Sequence, residues 1–169
     1  MQLLKIYYAY FSPGNTTEKV VSHITSSFQN YPVESINLTD YATRQEDYYF
    51  KENELLITGV PAYGGRVPAP VVDALRHFTG SNTPVVLVAT YGNRDIDDTL
   101  IELKKNVIDK GFIPVGAASF VCQHTFLKEC AEGRPDEEDL KMAGEFGDKL
   151  KERLRLLVTY DAGDLEVAE

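Results

Sequence analysis

Pro84-Val85-Val86-Leu87-Val88-Ala89-Thr90, which runs into Tyr91-Gly92-Asn93-Arg94, is the stretch on which the fold turns. It is apolar without alternation and far too short to span a bilayer. A strand with no polar face is covered on both sides, as happens in a parallel sheet flanked by helices. Residues 54–60, Glu54-Leu55-Leu56-Ile57-Thr58-Gly59-Val60, repeat the pattern and stop at Pro61. Outward from these two, residues 2–9, 32–38 and 113–121 also read as strands. Between the strands lie segments of helical period. Residues 16–29 place Val20, Val21, Ile24 and Phe28 on one face, and residues 97–110 do so with Leu100, Leu103, Val107 and Ile108 before the stop signal Gly111. Residues 69–79 suggest a helix opened by prolines. Residues 136–157 suggest a long last helix, acidic at its start and basic later, which suits the helix dipole. The tyrosine-rich stretch 40–51 is either a short helix or a loop.

Five strands alternating with helices predict an α/β three-layer sandwich with a parallel sheet of order 2-1-3-4-5. The 169 residues suit one domain over 1–158, followed by an acidic tail over 159–169. The segment from Met1 to Ile6 reads as a strand rather than a signal peptide. The net charge is −9, and −5 without the four acids of the tail (Asp161, Asp164, Glu166, Glu169). Phosphate backbones would be repelled, so nucleic acid is not an expected partner. A membrane is not expected either. Cys122 and Cys130 fit neither a disulfide framework nor a metal motif; unpaired thiols in a reducing cytoplasm are expected, with a disulfide between the two as the minor alternative and no metal site.

In such sheets, ligands sit beyond the carboxyl ends of the strands, at the switch point beside the first strand. The loops just past residues 9, 60, 90 and 121 therefore carry the function. After the first strand come Ser12, Pro13, Gly14, Asn15, Thr16 and Thr17, leading into a helix. The segment offers hydroxyls, an amide and backbone N–H groups at a helix N-terminus, where an anion is favoured. It lacks Lys and Arg and matches neither the P-loop nor the dinucleotide fingerprint. A phosphate here would be held by neutral donors. Pro61, Ala62, Tyr63, Gly64 and Gly65 form a second loop, and Thr90, Tyr91, Gly92 and Asn93 a third; Asp98, at the far end of the third, completes the candidate set. Two aromatic–glycine loops beside one phosphate site make a slot for a flat heterocycle.

Residues 12–18, 61–68 and 91–94 resemble the flavodoxin family. They look most like the flavodoxin half of clostridial-type flavodoxin–ferredoxin fusion proteins, and the likeness runs over nearly the whole chain to Gly133-Arg134-Pro135-Asp136. The resemblance implies a flavodoxin-like fold, FMN as cofactor and electron transfer as activity. It puts the phosphate at residues 12–17 and the isoalloxazine between the 61–65 and 90–93 loops, with Tyr63 or Tyr91 stacked on it. Gly14-Asn15 stands where such proteins usually have Thr-Gly, and Asn tolerates the left-handed conformation better than most residues. The cysteine-rich cluster motifs of the fusions are missing, so the expected partner is a separate ferredoxin or reductase. No residue reads as an acid–base catalyst. His124 could reach the flavin edge or simply be a solvated loop residue; Arg66 and Arg94 could attract an anionic cofactor or a partner's acids. Two alternatives stay open: an NAD(P)H-dependent FMN or quinone oxidoreductase of the same fold, and a flavin-free interaction domain. A phosphoacceptor receiver is excluded, because Ala9-Tyr10, Val60-Pro61 and Val121-Cys122-Gln123 lack its acids and lysine.

Overall fold

Alternate side chains of the central strands divide between two cores, as the period of two along a strand requires. In the computed structural model, which describes residues 3–156, strand β6 (Thr83–Tyr91) sends Val85, Leu87 and Ala89 to one side and Val86 and Val88 to the other. Each of these five is fully buried. The other main strands are β1 (Lys5–Tyr10), β2 (Val33–Asn37), β4 (Glu54–Pro61) and β7 (Phe112–Val121). All pair in parallel in the order β2-β1-β4-β6-β7. This is the expected arrangement; the numbering differs because β3 (Tyr48–Phe50) and β5 (Phe78–Gly80) form a separate two-stranded parallel sheet.

One layer holds α1 (Thr16–Ser26) and α4 (Glu137–Leu156). Val20, Val21, Ile24, Ala143, Leu150 and Leu154 pack there against Ile6, Leu55, Ile57, Val86 and Val88. The opposite layer holds α2 (Ala69–Leu75), α3 (Thr99–Ile108) and the small sheet, which bury Val71, Leu75, Leu100, Leu103 and Val107 on Leu56, Val60, Val85 and Leu87. Gly59 of β4 marks the closest approach of α1. A Cβ there would lie 2.2 Å from Val21 Cγ2 and 3.2 Å from Thr17 Cγ2.

Two expectations change. The helix foreseen over 69–79 stops at Leu75, and the undecided stretch 40–51 holds a 3-10 turn (Thr43–Gln45) and β3. Phe78 falls on the same helical face as Ala74 and Leu75, so the pattern alone allows a helix. The backbone of 78–80 instead pairs with β3, and the Phe78 ring packs 5.1 Å from Tyr48 and 5.3 Å from Phe50. Long-range pairing overrides local period here.

The last helix begins as its acids suggested. Asp136 Oδ1 accepts the N–H groups of Glu138 and Asp139, each at 3.0 Å, and Asp139 Oδ2 accepts the Asp136 N–H at 2.9 Å. This reciprocal box satisfies backbone donors the helix leaves open. Arg134 forms a two-pronged ion pair with the buried Asp139, which holds its carboxyl below the ordinary range. The segment 157–169, which includes the foreseen acidic tail, lies outside the described residues. Among the described residues no helix is long and apolar enough to cross a membrane.

Candidate functional site

The loop after β1 turns sharply because Asn15 adopts φ 62°, ψ 1°, the left-handed conformation, just before the first residue of α1. Gly14 needs no such conformation and faces open space. The turn is pinned from three sides. Asn15 N–H donates to Ser12 O (3.1 Å), Ser12 N–H to Thr39 Oγ1 (2.8 Å), and Glu18 N–H to Ser12 Oγ (3.0 Å). The N–H groups of Gly14, Thr16 and Thr17 are left with no acceptor among the described residues. Thr16 and Thr17 open α1, so their N–H groups lie at the positive end of its dipole, where an anion is favoured.

The three hydroxyls do not act alike. Ser12 Oγ caps Glu18. Thr17 Oγ1 lies 2.7 Å from Thr90 Oγ1 in a buried hydroxyl pair that ties α1 to β6 above Gly59. Thr16 alone of the three faces the neighbouring cleft, which Cys122 also lines. Two of the three hydroxyls thus already hold the fold, although Ser12, which only accepts here, keeps its own O–H to donate.

That cleft, about 180 Å³, opens at the carboxyl ends of β4, β6 and β7. It is smaller than the roughly 300 Å³ that encloses a drug-sized molecule, so a flat ligand here keeps an edge in solvent. One wall is Pro61, Ala62, Tyr63 and Gly64, a second is Thr90, Tyr91 and Gly92, and a third is Cys122 to Phe126. Tyr63 and Arg66 exchange two backbone hydrogen bonds (3.0 and 3.2 Å) around Gly64 and Gly65, at φ 58° and 74°. Two positive φ values in sequence define a type I′ turn, in which glycine is strongly favoured. The Tyr63 ring stands edge-on to Phe11 at 6.4 Å.

Both arginines beside the cleft are engaged. Arg66 grips Glu102 with two prongs, Nε to Oε2 at 2.9 Å and Nη2 to Oε1 at 3.0 Å, and Val67 N–H adds a third bond to Glu102. The guanidinium holds the Glu102 carboxyl below its ordinary range, so the tie persists at neutral pH and is lost as acid protonates it. Arg94 pairs with Asp97, whose side chain lies over Gly65. Glu102→Gln should loosen the 63–67 turn, with faster amide exchange at Tyr63 to Val67 and about 1 kcal/mol less stability by urea unfolding. Unchanged exchange in that turn would show that Glu102 does not position it.

The sequence-derived set therefore splits. Thr16, Pro61, Ala62, Tyr63, Gly64, Thr90, Tyr91 and Gly92 line the cleft. Ser12, Pro13, Gly14, Asn15 and Thr17 build the adjoining turn. Gly65, Asn93 and Asp98 are not on the cleft wall; Asp98 donates its N–H to Gly65 O (3.0 Å) and so supports the turn from behind. The third wall, residues 122–126, was not in that set. The rule that points beyond strand ends reaches it, but its composition carries no glycine to flag it. Burial pushes the Cys122 thiol up to about 12, against an opposing hydrogen bond from Thr16, so this cleft-lining cysteine stays protonated and inert. Cys130 is exposed, and both cysteines are unpaired. Among the described residues no cluster of His, Cys, Asp and Glu could hold a metal ion.

The architecture is the flavodoxin-like α/β fold. An archaeal flavodoxin superposes with a TM-score of 0.62 at 13% identity, covering 90% of this chain and 99% of that one. A Fusobacterium nucleatum flavodoxin mutant bound to flavin mononucleotide gives 0.60 at 17% identity, covering 89% and 97%. The rubredoxin:oxygen oxidoreductase of Desulfovibrio gigas gives 0.58 at 14%, with 90% of this chain matching 38% of that larger one. At such identities the fold is what is shared. No protein-family model matches the chain, and no curated protein matches it by sequence.

Proposed function

We propose that this chain is an FMN-binding flavodoxin-like protein of the cytoplasm that carries electrons between partner proteins, such as a separate ferredoxin or reductase. The observation that carries the reading is the set of three N–H groups without an acceptor among the described residues at the head of α1, where Thr16 lines a cleft walled by two tyrosines. The donors fit a phosphate monoester, since they are uncharged and sited at a helix N-terminus. The family resemblance of residues 12–18, 61–68 and 91–94, including its likeness to the clostridial-type fusions, supports the same reading. FMN supplies reversible electron transfer when bound.

The chain's own residues do the rest. Gly14, Thr16 and Thr17 donate to the phosphate. Tyr63 and Tyr91 flank the ring and keep water from its faces. The uncharged cradle and the acidic chain oppose build-up of negative charge in the cleft, which keeps the reduced cofactor at low potential. The Gly64–Gly65 peptide can rotate cheaply and meet a change in protonation at the cleft.

Calorimetry with FMN and with riboflavin tests this directly. FMN should bind at least about a hundredfold more tightly, the worth of one or two charge-assisted hydrogen bonds. Equal affinities would remove the phosphate cradle, and no binding of either would remove the flavin. Bleaching of the complex by NAD(P)H with turnover on a quinone would make the protein an oxidoreductase rather than a carrier.

A further inference from the structure

The third cleft wall is folded around one imidazole. His124 Nδ1 accepts two backbone hydrogen bonds, from Phe126 N–H (3.1 Å) and Leu127 N–H (3.0 Å). A ring nitrogen that accepts is unprotonated, so the neutral ring carries its hydrogen on Nε2. The rest of the loop closes over that turn. His124 N–H donates to Cys130 O (3.0 Å), Cys130 N–H to Leu127 O (2.9 Å), and Gln123 Nε2 to Lys128 O (2.9 Å). The ring edge rests on Gly92 of the opposite wall, where a Cβ would come within 2.6 Å of His124 Cδ2. Tyr63 Oη and Thr125 Oγ1, 3.5 Å apart, bring the same loop to the first wall. One lone pair therefore orders a loop that touches both other sides of the cleft.

We propose that His124 is a proton-controlled latch on the flavin cleft. With Nδ1 bare, the 124–127 turn is closed and the third wall is in place. A proton on Nδ1 turns the acceptor into a donor, and two amides face it with no partner. The turn then loosens, the wall withdraws from Gly92 and Tyr63, and the cleft holds its ligand less tightly. By linkage, a ligand that needs the wall favours the neutral ring. The titratable groups on the surrounding elements are Lys128, Glu129, Cys130, Glu132 and Arg134 on the loop, Cys122 at its start, Tyr63 and Tyr91 on the facing walls, and Arg94 and Asp95 beyond Gly92. Among the described residues none of them forms an ion pair or a side-chain hydrogen bond with the ring, so its protonation is felt first by the two amides.

The latch rests on the flavin reading for its ligand, and the test separates the two. In the ligand-free protein, amide and imidazole nitrogen NMR from pH 8 to pH 5 should show Phe126 N–H and Leu127 N–H moving with the same midpoint as His124 Nδ1. Riboflavin, which lacks the phosphate's own titration, should bind about tenfold more weakly at pH 5 than at pH 8. His124→Asn places an acceptor near the Nδ1 position that does not titrate, so it should keep the closed turn and abolish that pH dependence. The latch is overturned if the two amides do not follow His124, or if His124→Asn keeps the tenfold loss. If riboflavin and FMN do not bind at all, the flavin reading fails while the NMR result still decides whether the latch exists.

Discussion

Gly59→Ala is expected to lower stability by about 3 kcal/mol, or roughly 6–12 °C in melting temperature. The added carbon would sit 2.2 Å from Val21 Cγ2, well inside contact distance, and Val21 is fully buried. Valine has one strongly preferred side-chain rotamer in a helix, so it cannot swing aside. Helix α1 must move outward instead. That movement pulls Thr17 from Thr90, breaks the buried hydroxyl pair, and shifts the three N–H groups away from the cleft. The variant should therefore lose flavin affinity along with stability. Adding Val21→Ala removes the clashing methyl, so the double variant should be more stable than the sum of the two single losses predicts. Strict additivity in urea unfolding would show that the close approach of α1 to β4 is not what excludes a side chain at residue 59.

Asn15→Val is expected to weaken FMN binding by about a hundredfold while leaving global stability within about 2 kcal/mol. Residue 15 is exposed, so little packing is at stake. Its left-handed backbone sets the step from Gly14 into the first turn of α1, where the N–H groups of Gly14, Thr16 and Thr17 have no acceptor among the described residues. A β-branched residue resists that conformation by about 1–2 kcal/mol. The turn would relax and scatter donors that each contribute more than an ordinary hydrogen bond to a charged phosphate. Asn15→Gly, which adopts the same conformation without strain, should bind FMN as the parent does. Riboflavin affinity should be alike in all three proteins if the ring lies, as proposed, between the 61–65 and 90–93 loops. If valine and glycine variants bind FMN equally, the backbone of residue 15 is not what shapes the phosphate site.

The two substitutions draw on different kinds of information. The turn at residue 15 is legible in the sequence, because Gly14-Asn15 is a pair that accepts a left-handed step. Which of the two takes it is settled only by the fold: Asn15 does, and Gly14 does not. The clash at Gly59 has no signature in the chain. A glycine inside an apolar strand signals some close approach, but not that α1 makes it. Phe78 went the other way, with a helical pattern that a distant strand overrode.

What the chain determined by itself was whatever depends on near neighbours: unalternating strands that must be covered on both faces, amphipathic helices between them, and a turn at the first helix that lacks basic residues. These arise from side-chain periodicity and backbone preference, which act over a few residues. What the tertiary structure decided was the use of each polar group. Thr17 meets Thr90 across 73 positions, Arg66 meets Glu102 across 36, and the His124 ring meets Gly92 on another wall. A hydroxyl, a guanidinium or an imidazole has the same local signature whether it serves a ligand or the fold. Only the partner that packing brings within about 3 Å distinguishes the two, because hydrogen bonding is short-ranged while the chain that supplies the partner is long.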